Sequence, residues 1–282
     1  MKHQIAGLLL LVLIAGCSPS PEQGDSKVIT VSIQPQKYLV RQIGGNDWYI
    51  NVLVPPGSSP ETYEPGPLQV KDLAQSAIYF ANGYLEFEHG INGKISGLNN
   101  QLSIIDLSEN LSLIQGDDHH GGTDPHYWLG PQEIKIMAQT IASALQEKDP
   151  ANKERYTANL STFLSLMDSL DVKIRKRLAE RKRDDFIVFH PALAYFSRQY
   201  GLNQLALEEE GKNPSAAHLK SLVDMAREKG IRHLFVQRQF DERNAEALAR
   251  EIKGELVVFD PLEENLEKNL LYLAEKLSIA LN

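Results

Sequence analysis

Cysteine is nearly absent: Cys17 is the only one among 282 residues. A single thiol excludes a disulfide framework, and its place near the start leaves no thiolate metal site elsewhere. Basic stripes are also lacking. The 29 Lys and Arg are outnumbered by 37 Asp and Glu, giving a net charge of −8, which argues against nucleic acid and anionic headgroups as partners. Neither His-Glu-x-x-His nor a Gly-x-Ser-x-Gly turn occurs, so two common hydrolase signatures are missing.

What is present begins at the N-terminus. Met1-Lys2-His3 is a short basic start, and Ile5 to Ala15 is an apolar run of signal-peptide length, too short to span a bilayer as a helix. The run ends in Leu13-Ile14-Ala15-Gly16-Cys17. Small residues directly before a cysteine suit a lipoprotein signal peptidase, so Cys17 is expected to become an acylated N-terminus. Ser18 to Lys27 is Ser/Pro/Glu/Gly-rich and reads as a tether. The expected organisation is a signal peptide over 1–16, a tether over 17–27, an α/β lobe over 28–148, a linking helix over 149–183 and a second α/β lobe over 184–282.

Short β-branched runs alternate with helical spacing in both lobes. Strands are predicted at Val28–Ile33, Tyr49–Val54, Ala77–Ala81 and Leu102–Ile105, then at Phe186–Phe189, Leu205–Leu207, Ile231–Val236 and Leu256–Phe259. Such alternation implies mainly parallel sheets covered on both faces. Between the lobes, Asp149-Pro150 reads as a helix start, and from there to Lys182 there is no further proline and no glycine. Leu160, Phe163, Leu164, Met167, Leu170, Ile174 and Leu178 recur at helical spacing, predicting one long helix of roughly 45–50 Å. Arg175, Lys176, Arg177, Arg181, Lys182 and Arg183 at its end fit a solvated helix C-terminus better than a nucleic-acid patch.

The chemistry-bearing side chains stand at or after predicted strand ends, where open α/β sheets present ligands. His190 follows Phe186–Phe189, Asp260 follows Leu256–Phe259, and His126 lies in Asp124-Pro125-His126-Tyr127-Trp128-Leu129. Glu61 sits in Pro60-Glu61-Thr62-Tyr63-Glu64-Pro65. Each is next to or close to a proline, which limits backbone freedom. His89, His218 and His233 are read as structural or surface residues.

Several stretches run in the order of one known family. They are Pro55-Pro56-Gly57 through Tyr63-Glu64-Pro65, Asn82-Gly83-Tyr84-Leu85-Glu86, Asp124 to Leu129, His190-Pro191-Ala192-Leu193-Ala194-Tyr195-Phe196, Glu210-Gly211-Lys212-Asn213-Pro214-Ser215, Phe235-Val236-Gln237-Arg238-Gln239-Phe240 and Asp260-Pro261-Leu262. In these the chain resembles the zinc/manganese class of substrate-binding lipoproteins of ABC importers. The resemblance implies two α/β lobes joined by a rigid helix, with one metal in the interlobe cleft. It implies His126, His190 and Asp260 as metal ligands, with Glu61 where the family usually has histidine. It also implies Zn2+ as cargo, with Mn2+ as the alternative, because histidine at the third ligand position resembles zinc-type members. The loop Asp117-Asp118-His119-His120-Gly121-Gly122 resembles a shortened His/Asp-rich loop, an accessory capture site or a polar linker.

The expected partners are a divalent metal, an importer's membrane permease and the membrane through the N-terminal lipid, with no nucleic acid and a monomeric chain. The expected location is the cell envelope, outside the cytoplasm. The chain is expected not to be an enzyme. Two other functions stay open on this reading: a secreted zinc hydrolase, and a surface adhesin on the same fold.

Overall fold

The structure is a computed structural model, and it describes residues 27–95, 99–116, 122–208, 214–240 and 242–282. Cys17 with its signal sequence and tether, the accessory residues Asp117, Asp118, His119 and His120, and the stretch Glu210 to Asn213 lie outside the described residues.

Strands β1 (Val28–Val31), β2 (Tyr49–Val52), β3 (Ile78–Ala81) and β4 (Ser103–Asp106) form one parallel sheet in the order β2-β1-β3-β4. Its helices are α1 (Gln34–Gly44), α2 (Pro67–Ala74) and α3 (Glu86–Ile95). The second sheet repeats the arrangement: β5 (Asp185–Val188), β6 (Asn203–Ala206), β7 (His233–Gln237) and β8 (Glu255–Phe259) run parallel in the order β6-β5-β7-β8. Helices α6 (Ala194–Tyr200), α7 (Ala216–Lys229), α8 (Glu242–Glu251) and α9 (Leu266–Ala280) accompany it. The eight predicted strands are all present. The two halves thus share one sheet order.

Local chemistry sets the helix ends. Pro67 and Pro131 open α2 and α4 (Pro131–Lys148), where a missing N–H costs nothing. Ser215 and Asn265 cap α7 and α9 by accepting from the amides of His218 and Lys268.

The linking helix differs from its sequence reading. Pro150–Asn152 forms a separate 3-10 turn, and the α-helix α5 covers Lys153–Leu178, 26 residues and so about 39 Å at 1.5 Å each. Asp149 does not cap it. Its Oδ2 accepts instead from Lys27, from Asn152 and from the Tyr156 hydroxyl, 2.8–2.9 Å away. The basic end of α5 is taken up locally: Arg175 pairs with Asp171, Arg181 with Asp184, and Arg183 donates to the Lys229 and Gly230 carbonyls.

One apolar core runs through both lobes. It takes in Ile29, Val31, Tyr79 and Phe80 of the first sheet, Phe163, Met167 and Leu170 of α5, Leu270 and Leu277 of α9, and Phe186 and Phe235 of the second sheet. A smaller cluster around Ile187, Leu234 and Leu248 backs the outer face of the second sheet. Polar clasps also cross between the lobes. Trp128 Nε1 donates to the Pro261 carbonyl at 2.9 Å, and the Tyr195 hydroxyl donates to the Asp124 carbonyl at 2.8 Å. Arg198 pairs with the nearly buried Glu133 at 2.6 Å. Among the described residues no helix is long and apolar enough to cross a membrane.

Candidate metal centre

The carboxyl ends of both sheets face one another, and three side chains converge there: Glu61, His126 and His190, whose ligand-type atoms all lie within 4.8 Å of one another. Glu61 Oε1 stands 3.1 Å from His126 Nε2 and 2.6 Å from His190 Nε2. A tetrahedral zinc with bonds near 2.1 Å sets its ligand atoms about 3.4 Å apart, so a small inward-facing cage of this size fits the ion. Both rings are buried, at 4% and 3% exposure, so any ion they hold is shielded from competing water.

Each group is positioned by its own lobe. Beyond β2 the chain stays paired through Leu53 and Val54, whose amides donate to the Val31 and Ser32 carbonyls. The loop carrying Glu61 then returns to α2, where Gln69 accepts from Tyr63 Oη and the Gly66 amide and donates to the Leu53 carbonyl. His126 is not at a strand end, contrary to the sequence reading. It opens a 3-10 turn, Tyr127–Leu129, because residues 114–116 and 122–124 pair as a short hairpin base that delivers the chain there. Beneath it, the buried Glu88 accepts from the Asn82 and Gly83 amides at 2.7 and 2.6 Å, and Asn82 in turn contacts the Pro125 carbonyl and Tyr127 Oη. Gly83 is required there: its φ is +91°, and a Cβ would collide with the Asp106 carboxylate. His190, two residues beyond β5, is held by Gln237, which donates to its carbonyl at 2.6 Å, and Phe240 stacks on its ring at 5.3 Å.

Behind each histidine stands a second carboxylate. Asp124 Oδ1 is 2.8 Å from His126 Nδ1, and Glu208 Oε2 is 2.7 Å from His190 Nδ1. A carboxylate on Nδ1 fixes the tautomer and turns Nε2 inward, as metal-ligating histidines require. Burial disfavours charge on both rings, but the surrounding carboxylates outweigh it. Asp124 and Glu61 raise the His126 pKa above its ordinary value, and Glu208 and Glu61 raise that of His190 to about 10. Burial would likewise push Glu61 up, yet the two imidazoles at hydrogen-bond distance hold it well below the usual carboxylate range.

Asp260 follows β8 as expected, but it is not among the three converging groups. Its Oδ1 accepts from Gln239 Nε2 at 2.7 Å and from the Leu262 amide at 2.9 Å. Asp124, Glu208, Gln237 and Gln239 were not singled out in the sequence. The first could have been found from the Asp-x-His spacing, since its carboxylate also caps the His126 amide at 2.8 Å. His218 Nε2 lies 3.0 Å from the Ala206 carbonyl, and His89 is exposed, both in keeping with their reading as structural or surface residues. A cavity of about 350 Å³ between Gln115, Gly116, Pro191 and Ala194 meets the two site rings and leads outward.

Comparison with known proteins agrees with this geometry. The metal ABC transporter substrate-binding lipoprotein ScbA of Streptococcus cristatus is 30% identical over 267 residues, covering 86% of this chain and 84% of ScbA. The high-affinity zinc uptake system protein ZnuA of Bacillus subtilis strain 168 is 25% identical over 292 residues, covering 95% and 91%. The crystal structure of a ZnuA deletion mutant with zinc bound superposes with a TM-score of 0.86 at 38% identity, covering 92% of this chain and 99% of that one. Residues 29–275 match the family described as zinc-uptake complex component A, periplasmic, and the chain belongs to that family.

Proposed function

We propose that the protein captures a divalent transition metal outside the cytoplasm and delivers it to the permease of an ABC importer, with zinc as the preferred cargo and manganese as the alternative. The observation that carries this reading is the convergence of His126 Nε2, His190 Nε2 and a Glu61 oxygen from two lobes, each imidazole backed by its own carboxylate. Two neutral imidazoles favour zinc over manganese, which prefers oxygen donors. The family and the relatives named for zinc uptake and metal transport support the same assignment. Asp124 and Glu208 are each held by a ring nitrogen of a site histidine, and Asp260 by the Gln239 and Leu262 amides. The direct test is metal analysis of protein purified without added metal, followed by competition between zinc and manganese. One tightly bound zinc per chain is expected, and failure to bind either metal would refute the reading.

Capture is expected to leave the lobes where they are. The shared core through α5 and the clasps at Trp128, Tyr195 and Arg198 would all have to break for a hinge motion. X-ray scattering of zinc-free and zinc-loaded protein should therefore give superimposable curves. A clear drop in radius of gyration on loading would contradict a stiff receptor.

The N-terminal sequence Ile14-Ala15-Gly16-Cys17 supports attachment to the membrane by a lipid on Cys17. In cells fed an alkyne fatty acid, the native protein should take up label and Cys17→Ala should not, with zinc affinity equal in the two. Unlabelled native protein would rule the anchor out.

A further inference from the structure

In the motif Gln237-Arg238-Gln239-Phe240, the amide oxygen of Gln239 has no role in the site as described above. Gln239 sits just past β7 and lines the same small cavity as Glu61, His126 and His190, with Trp128 and Phe240 closing it. Its Nε2 donates to Asp260 Oδ1 at 2.7 Å. That contact fixes which way the amide faces, because turning it over would set its oxygen against a carboxylate oxygen. The Leu262 amide, donating to the same Oδ1 at 2.9 Å, holds the carboxylate in place. The amide oxygen is therefore directed away from Asp260. It is buried, and among the described residues no donor reaches it. A buried carbonyl without a donor is unfavourable, and protein sites keep such a group where a ligand supplies the missing contact.

We propose that Gln239 is a specificity-determining residue of the metal site: its Oε1 accepts a hydrogen bond from a water on the bound metal, and Asp260 is the positioning residue that aims it. Three protein ligands leave one tetrahedral position for that water. Gln239 shares one small cavity with the three ligand side chains, so a water on a metal held there lies on its side of the site. Asp260 then acts on the metal through the glutamine and not as a ligand. A metal that favours four-coordination with one water, as zinc does, gains from this acceptor. An ion seeking six oxygen ligands gains little, because the oxygen is tethered to accept a hydrogen bond at one position.

The inference rests on the metal-capture reading, and the experiment separates the two. Zinc affinity is measured by chelator competition for the native protein, Gln239→Met, Asp260→Ala, the double variant and Asp260→Asn. Cobalt(II) absorption is recorded on each as a report of coordination, and thermal melting of the zinc-free forms checks folding. Gln239→Met should weaken zinc binding about tenfold, as loss of an outer contact does, and should shift the cobalt bands without lowering the zinc-free melting point. Asp260→Ala should cost the same, and the double variant no more than either, since both remove one contact. Asp260→Asn, whose oxygen can still accept from Gln239, should restore native affinity. Unchanged affinity and cobalt spectrum in Gln239→Met would overturn the proposal, as would additive losses or a failure of Asp260→Asn to rescue, which would make Asp260 a ligand in its own right. Absence of zinc binding by the native protein would overturn the capture reading, and this proposal with it.

Discussion

Replacing His190 with alanine is expected to weaken zinc binding by two to three orders of magnitude, and His126→Ala by a similar factor. A four-ligand structural zinc site is worth about 10–16 kcal/mol, so one imidazole stands for roughly 3 kcal/mol, on the order of a hundredfold to a thousandfold. The loss extends beyond the ring itself. Removing His190 leaves Glu208 facing a gap where it had a ring N–H at 2.7 Å, and Glu61 loses its nearer imidazole. Glu61→Ala should cost less, because a water can take the place of a half-buried carboxylate oxygen. Glu61→His should regain affinity for zinc and lose it for manganese, the softer donor changing the preference. Changing the supporting carboxylates, Asp124→Asn or Glu208→Gln, should cost about 10–100-fold by loosening ring orientation. Competition titrations across this series decide the ligand set. Native affinity in both histidine variants would mean that the metal is held elsewhere.

Part of this centre was legible in the sequence. All eight strands could be placed because each is a short β-branched or apolar run stopped by glycine, proline or polar residues. His190 and Asp260 could be placed because they directly follow such runs. His126 drew attention through its own motif, although a hairpin base and a 3-10 turn, not a strand, bring it inward. The supporting layer was not visible, for a physical reason. Glu208 meets His190 only because β6 lies beside β5 in a register that pairs Val188 with Ala206, carrying both chains to the same height at the sheet's edge. Gln237 reaches the His190 backbone through the neighbouring pairing of β5 with β7. Sequence spacing fixes which residues end strands, but strand order and register decide which of those ends touch. The helix at 149–182 was overextended for a local reason: the Pro150 turn is 3-10, and Asp149 is drawn aside by Lys27, 122 positions earlier in the chain.

The second large effect is on pH, and here the structure changes the expectation. Two isolated imidazoles would release their protons near 6.5, and zinc affinity would level off above that. In this site Glu61 Oε1 lies within hydrogen-bond distance of both Nε2 atoms, while Asp124 and Glu208 take the Nδ1 sides. Burial opposes ring charge, but three carboxylates prevail, and the His190 pKa rises from 6.5 to about 10. Without metal, the His190 ring therefore keeps at neutral pH the proton that bridges it to Glu61, and Asp124 and Glu61 shift His126 in the same direction. Zinc needs the bare Nε2 atoms, so it must displace protons held there. Binding that releases protons strengthens as pH rises, by about tenfold per unit for each proton released. Zinc affinity should accordingly climb steeply from pH 6 through pH 8, with no plateau near 7. Calorimetry in buffers of different ionisation enthalpy should count one to two protons released per zinc at pH 7. The stability of the zinc-free protein should move the other way. A raised histidine pKa contributes stability that is fully present below about 6.5 and lost as pH rises through about 10. The lowered Glu61 pKa contributes above about 4.5 and is lost only as pH falls through its depressed value. The zinc-free melting point should thus fall between pH 7 and pH 10 while the stabilisation conferred by zinc grows. Affinity that is flat above pH 7, with no proton released on binding, would show that the rings are already neutral and that the carboxylates around them do not hold protons against the metal.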